Sequence, residues 1–309
     1  MSILLLTRPQ EPAAFAAALA TALPGETVWT DAAGIDPDAV EAVIAWRLHT
    51  DTYARYRNLR LVCATAAGVE KVLPPPALRG RIRVMRVVDP MVNLGMAQYV
   101  LAMALRHVRA LPLFETQQRQ RAWIRHRPPE PYSLTAAVLG MGEAGRAIAA
   151  LLHAAGFQVA GWSRTGRKVE HIETYAGSAG LEACLSRADL LVCALPLTPE
   201  TTGLLDRRTL GMLPAGAYVI NVARGGHLVE EDLVALVSTG AIAGAALDVQ
   251  GTEPLPEDSP LWDQPGITIT PHIAAQAGVD TVVAQFASNW QRYRAGAPLA
   301  NLVDPSLGY

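Results

Sequence analysis

Lysine is nearly missing from this chain. Among 309 residues only Lys71 and Lys168 occur, and arginine carries almost all the positive charge. That scarcity removes most lysine chemistry. A short-chain dehydrogenase needs a Tyr-x-x-x-Lys pair, and neither lysine follows a tyrosine at that spacing. A β-hydroxyacid enzyme with a catalytic lysine fits as poorly. Cysteine is scarce too. Cys63, Cys184 and Cys193 are odd in number, lack metal-ligand spacing and sit near apolar runs, so buried free thiols in a reducing compartment are expected. His49, His107, His126, His153, His171 and His227 also lack ligand spacing. They are expected to be structural or surface residues, and no metal is predicted. No apolar run approaches the roughly 18 residues of a membrane span. The stretch Ile3-Leu4-Leu5-Leu6 is stopped by Arg8-Pro9 and is too short for a signal-peptide core. The expected setting is the cytoplasm, without membrane contact. Charge excess is missing as well: the net charge is −2. Nucleic-acid binding has no support, and the run Arg119, Arg121, Arg125, His126, Arg127 reads as a solvated face.

What is present is a pattern of alternating strands and helices in a chain long enough for two domains. Strand signals fall at Ile3–Thr7, Thr27–Thr30, Val43–Trp46, Leu61–Thr65 and Arg83–Val87, with an alanine-rich helix over Glu11–Ala22. A long helix is expected from Gly95 to Arg109 and another from Leu113 to Trp123, followed by an extended arm. Six more strands are expected at Ala136–Leu139, Gln158–Trp162, Leu190–Leu195, Ala217–Val222, Gly244–Asp248 and Ile267–Thr270. A last helix over Ala274–Arg294 returns the chain to the first domain. The fold class is therefore α/β with two doubly wound parallel sheets. The expected division is 1–97 with 275–309, and 98–274 as the inserted dinucleotide-binding domain.

The insertion carries Gly140-Met141-Gly142-Glu143-Ala144-Gly145 between an apolar strand and an apolar helix. Strand, glycine turn and helix in that order form a dinucleotide fingerprint. The first glycine makes the turn, the second admits a pyrophosphate to the backbone, and the third brings helix and strand together. The helix N-terminus then faces the phosphates. About twenty residues on, an NAD enzyme places Asp or Glu for the ribose hydroxyls. This chain has Ser163-Arg164-Thr165-Gly166-Arg167-Lys168 instead. Hydroxyls and cations there favour a 2′-phosphate, so NADPH is expected over NADH, with Arg164 stacking on adenine or gripping the phosphate.

Ligands of such sheets bind beyond the carboxyl ends of the strands. Arg224, Glu253 and His272 each fall shortly after a predicted strand. An arginine fork binds a carboxylate, a histidine exchanges a proton near neutrality, and a carboxylate orients that ring. Asn221-Val222-Ala223-Arg224-Gly225, Leu247-Asp248-Val249, Glu253-Pro254-Leu255 and Thr270-Pro271-His272 resemble, in order, the signatures of the D-2-hydroxyacid dehydrogenases. Gly161-Trp162-Ser163-Arg164, Leu195-Pro196-Leu197-Thr198-Pro199-Glu200-Thr201, Ser259-Pro260-Leu261-Trp262 and Gly308-Tyr309 are similar to its glyoxylate/hydroxypyruvate reductase A group.

The resemblance implies a split flavodoxin-like substrate domain around a Rossmann cofactor domain. It implies a homodimer, with 98–274 including a linker helix and a dimerisation arm, and reduction of small 2-oxo acids. It makes Arg224, Glu253 and His272 the catalytic set. It places Ala67-Gly68-Val69 in a loop whose amides hold the substrate carboxylate. Leu195, Pro196, Val222, Ala223 and Asp248 complete the expected cofactor contacts, and Trp46 is a candidate wall of the substrate pocket. Gln250 stands where many relatives carry an aromatic, and Glu70 where Asp is common. One alternative is a D-2-hydroxyacid dehydrogenase acting on a different 2-oxo acid; a less favoured one is a nucleotide-sensing regulator on the same fold, which has no need to keep all three polar residues.

Overall fold

The computed structural model describes residues 2–8, 10–66, 68–166 and 168–304. They form two units, one of residues up to Pro90 with those from Gln276 onward, the other Met91–Ala275.

The first unit contains β1 (Ser2–Leu6), α1 (Pro12–Ala22), β2 (Thr27–Trp29), β3 (Val40–Ala45), α2 (Thr50–Arg55), β4 (Leu61–Ala64) and β5 (Arg83–Met85). Its strands are all parallel, in the order β2-β1-β3-β4-β5. That is the flavodoxin-like order. Strand residues alternate between the two faces of the sheet. Leu4, Val43, Ala45, Val62 and Ala64 pack with Tyr53, Tyr56 and Leu59 in one buried cluster. Phe15 of α1 is fully buried, as are Phe286 and Trp290 of the helix Val279–Arg294.

The second unit begins with α3 (Pro90–Val108) and α4 (Leu111–Arg119). There follow β6 (Thr135–Leu139), α5 (Glu143–Ala154), β7 (Gln158–Ser163), β8 (Glu173–Ala176), α6 (Gly177–Leu185) and β9 (Leu190–Cys193). The unit closes with α7 (Arg207–Leu210), β10 (Ala217–Asn221), α8 (Glu230–Ser238), β11 (Ile242–Leu247) and β12 (Ile267–Ile269). The parallel order β12-β11-β10-β9-β6-β7-β8 is that of a Rossmann sheet with a seventh strand. Strand alternation divides the core in two. Ala137, Leu139, Leu191, Cys193, Val219, Ala245 and Leu247 face a cluster shared with α6 and α8. Their neighbours Ala136, Val138, Leu190, Val192, Tyr218, Ile220 and Ala246 face α3 and α5.

Four elements depart from expectation, among them the last helix, which is expected from Ala274 and begins at Val279. The sheet has seven strands rather than six because β8 pairs with β7. The helix expected to reach Trp123 stops at Arg119, since Arg121 adopts a left-handed φ of 56° and Trp123 is 91% exposed. α3 starts at Pro90, earlier than the expected Gly95, with proline where its missing N–H costs nothing.

Candidate active site

Parallel strands held in register end in a row. The pairs Trp162–Leu139, Leu139–Cys193, Cys193–Asn221, Asn221–Leu247 and Leu247–Ile269 join six strands into one row at their C-terminal ends. Every expected cofactor and catalytic residue of this unit lies one to six positions beyond that row. There the backbone leaves the ladder, and polar groups become available to a ligand.

Beyond β6, Gly140 takes φ +100°, and a Cβ there would sit 2.5 Å from the Ala194 carbonyl oxygen. A Cβ at Gly145 would run into the Gly140 carbonyl oxygen. Helix and strand approach this closely only because both residues are glycine. Gly142 precedes α5 and has open space where a Cβ would be. An anion can therefore reach the first amides of α5, which favour negative charge. This cradle fits a dinucleotide pyrophosphate. The Met141 side chain is buried in the core, leaving its backbone for the cradle. Glu143 and Ala144 open α5, and the Glu143 carboxylate pairs with Arg146.

Beyond β7, Arg164, Thr165 and Lys168 are exposed and Ser163 is half-buried. No Asp or Glu occurs between Trp162 and Lys168. The Glu200 carboxyl is held below its usual range, chiefly by the Thr198 hydroxyl and also by the charge of Arg164. Glu200 belongs to the segment after β9. In that segment Leu195 is buried and Pro196 exposed. Arg167 lies outside the described residues, as do Gly308 and Tyr309.

Beyond β10, the buried Asn221 side chain organises the next turn. Its Nδ2 donates to Arg224 O at 3.0 Å, and its Oδ1 accepts from Ala223 N at 3.1 Å. Val222 and Ala223 are buried, so their backbone groups are what they can offer a ligand. The Arg224 guanidinium donates from Nη1 to Ala223 O at 2.6 Å. Gly225 lies too close to the Gln250 backbone to carry a Cβ. The arginine turn is thereby seated on the segment that follows β11.

That segment ends in Glu253, which meets His272 from beyond β12. His272 Nδ1 lies 3.1 Å from Glu253 Oε2 and 3.2 Å from Oε1. Both oxygens can only accept when the carboxylate is ionised, so Nδ1 carries the hydrogen and Nε2 is the atom that exchanges a proton. The side chains are 22% and 23% exposed, open enough for proton supply and closed enough for a directed bond. Gln250 N donates to Glu253 Oε1 at 3.4 Å, while Gln250 Nε2 donates to Leu247 O at 3.0 Å. His272 itself has a φ of 56°, uncommon for a residue with a Cβ. Its N–H is held by Asp248 O at 2.9 Å. The buried Asp248 carboxylate accepts from Thr270 Oγ1, Ile273 N and Ala274 N at 2.6, 2.9 and 2.8 Å. Such a conformation persists only where its surroundings fix it, and it is typical of functional positions.

Of the two roles expected for His227, structural or surface, the structure gives it the structural one: the ring is fully buried. Nδ1 is 3.0 Å from Arg224 O and Nε2 is 3.2 Å from Pro196 O, so the ring bridges the turns after β10 and β9. Nothing in a single sequence separates such a histidine from a surface one. Asn221 and Gln250 were missed as organisers of the site for the same reason.

Of the expected substrate residues, Gly68, Val69 and Trp46 belong to the first unit. Val69 is buried in its core, Gly68 is half-buried, and Ala67 lies outside the described residues. Lys71 Nζ stands 5.2 Å from the Trp46 ring centroid, a cation–π contact on one ring face. Among the described residues, no cluster of three His, Cys, Asp or Glu could hold a metal, and no helix is long and apolar enough to cross a membrane.

Residues 101–274 match the family described as D-isomer specific 2-hydroxyacid dehydrogenase, NAD binding domain. The chain is 36% identical over 279 residues to a glyoxylate/hydroxypyruvate reductase A from Yersinia enterocolitica, covering 89% of each chain. A D-isomer specific 2-hydroxyacid dehydrogenase from Xanthobacter autotrophicus Py2, solved with NADPH and MES, superposes with a TM-score of 0.91 at 38% identity. That match covers 100% of this chain and 99% of the other. An NADPH-dependent glyoxylate/hydroxypyruvate reductase from Sinorhizobium meliloti, solved with NADP and sulfate, gives 0.92 at 34% identity over 100% of both chains.

Proposed function

The chain belongs to the D-isomer specific 2-hydroxyacid dehydrogenases, a family of NAD(P)-dependent oxidoreductases, and we propose that it reduces glyoxylate and hydroxypyruvate with NADPH. The observation that carries this reading is the His272–Glu253 pair, held at 3.1 Å beyond a strand end two places along from that of Arg224. The Arg224 guanidinium binds the substrate carboxylate and polarises the keto oxygen. NADPH, held by the glycine turn at 140–145, would supply a hydride for C2. His272 gives its Nε2 proton to the keto oxygen, so the C=O becomes CH–OH and the ring is left neutral. Glu253 stabilises the protonated ring beforehand. In the reverse direction neutral His272 takes that proton back. Gly68 and Val69 keep, as a proposal, the amide role that the resemblance implies.

Preference for NADPH is supported by the chemistry after β7. Ser163, Arg164, Thr165 and Lys168 offer donors and positive charge where an NAD enzyme needs an acid. The relatives solved with NADPH and NADP point the same way. We also propose a homodimer. Trp123, Ile124 and Tyr132, between α4 and β6, are 91%, 56% and 70% exposed, which suits an arm that a second copy covers. Three buried free thiols suit the cytoplasm.

The test is NADPH and NADH oxidation by the purified chain against glyoxylate, hydroxypyruvate, 2-oxoisocaproate and phenylpyruvate. The two small acids with NADPH should give the highest kcat/KM. Preference for a branched or aromatic acid would move the chain to another substrate class, and no oxidation with any of them would end the reductase reading.

A further inference from the structure

His272 has to be held against the conformational preference of its own backbone, and one group does most of the holding. Asp248 takes the His272 N–H on its carbonyl oxygen at 2.9 Å. Its carboxylate takes Ile273 N at 2.9 Å and Ala274 N at 2.8 Å on one side of the histidine, and Thr270 Oγ1 at 2.6 Å on the other. Whatever fixes Asp248 and Thr270 therefore fixes the pitch of the imidazole. Thr270 has further partners: its carbonyl oxygen shares the His272 N–H at 3.0 Å, and its Oγ1 lies 2.6 Å from the Tyr99 hydroxyl.

The direction of these bonds follows from the proton count. An ionised carboxylate only accepts, so the single hydroxyl proton of Thr270 points to Asp248. The Tyr99 phenol must then be the donor to Thr270. We propose that Tyr99 and Thr270 are positioning residues for His272, acting in series as Tyr99 to Thr270 to Asp248 and tying the histidine turn to the rigid helix α3. The inference rests on the proposed role of His272 as proton donor.

The anchor is suited to the task. Ala97 and Val100 flank Tyr99 on α3 and are buried in the core of the second unit. The Tyr99 ring packs against the same core. Burial is the chief cause that pushes the Tyr99 phenol up to about 12, so it keeps its proton and remains a donor throughout the neutral range. Gln250 Nε2 reaches Thr270 O at 3.5 Å, a longer second hold on the same residue.

A serial arrangement makes a prediction that a merely structural tyrosine does not. Tyr99→Phe should lower kcat for glyoxylate about threefold to tenfold and Thr270→Val about tenfold or more, since small displacements of a reacting group are costly. KM for NADPH should stay within about twofold in both. The double variant should be no worse than Thr270→Val alone, because Tyr99 acts through Thr270. Thr270→Ser, which keeps the hydroxyl, should restore most of the rate. A second readout needs no turnover: the His272 ring resonance, identified by its loss in His272→Gln, should move in Tyr99→Phe and in Thr270→Val. Additive losses in the double variant, or a His272 resonance unmoved by Tyr99→Phe, would overturn the tie. If the wild-type chain reduced no 2-oxo acid, the reductase reading would fall, and the resonance alone would still decide whether Tyr99 sets the ring.

Discussion

Glu253→Gln tests the site at its most exposed assumption, that a carboxylate is needed beside His272. The amide is nearly the same size and can still accept from Nδ1, so the hydrogen bond survives while the charge goes. The magnitude follows from geometry. Nδ1 stands 3.1 Å from Oε2, and both side chains are about a quarter exposed. For such a pair an effective dielectric well above that of a dry interior applies, and surface screening reduces the interaction further. The expected loss is therefore at or below the lower end of what a positioned general acid contributes, about 10- to 100-fold in kcat. In the proposed mechanism the substrate carboxylate is bound by Arg224 rather than by this pair, so KM should change little. The assay is steady-state NADPH oxidation with saturating glyoxylate, alongside far-UV dichroism to show an intact fold. A folded Glu253→Gln enzyme with wild-type kcat would refute the argument, because it would mean that the imidazole needs only a hydrogen-bond acceptor.

Three further outcomes are expected. Arg164→Ala should cut kcat/KM for NADPH about tenfold or more and leave NADH within about twofold, with the wild-type NADPH value falling as salt rises; equal losses with both cofactors would remove the 2′-phosphate site. Burial pushes the Cys63, Cys184 and Cys193 thiols up to about 12, so on the order of 10⁻⁴ of each is thiolate at pH 8. A thiol reagent such as Ellman's should find almost nothing until denaturant is added, and rapid labelling of the native protein would contradict that burial. His107 stacks on Tyr218 with ring centroids 4.1 Å apart, and burial lowers its pKa. The unfolded chain then takes up a proton first as pH falls below about 6.5, so stability is full above that point and declines below it. His107→Phe should flatten the acid side of the urea midpoint against pH, and an unchanged slope would assign the acid sensitivity elsewhere.

The elements that were legible from sequence are those whose side chains are buried on a regular period. Strands β6, β9 and β10 are buried at every residue and stand out as apolar runs. β8 was missed for the opposite reason. Its residues Glu173–Ala176 lie at the sheet edge, none is fully buried, and no alternation marks them. The last helix was read as starting at Ala274 but begins at Val279. The intervening residues are apolar enough for a helix, yet Ala274 N is claimed by Asp248, and that long-range bond outweighs local propensity. The same limit hid His227 and Tyr99, whose hydrogen bonds reach residues far away in sequence.

Why the candidate catalytic residues stand out in the sequence more than their supports follows from the row of strand ends. From Trp162 to Ile269 the row crosses six strands, hence five spacings or about 24 Å. Its register is fixed by the central strands β6, β9 and β10, buried on both faces, where a slip of one residue would turn core side chains to the wrong side. A residue three positions past Asn221 and another three past Ile269 are thus brought to the same rim by backbone pairing alone. Side chains near a strand end that are too polar for the sheet are visible in the sequence as exceptions, and Arg224, Glu253 and His272 are such exceptions. Asp248, Asn221 and Thr270 sit at the first positions around the same ends but look inward along the row. Asn221 and Thr270 read as ordinary strand termini and Asp248 as a cofactor contact, and only the hydrogen bonds between neighbouring strand ends separate a residue offered to a ligand from one that aims it.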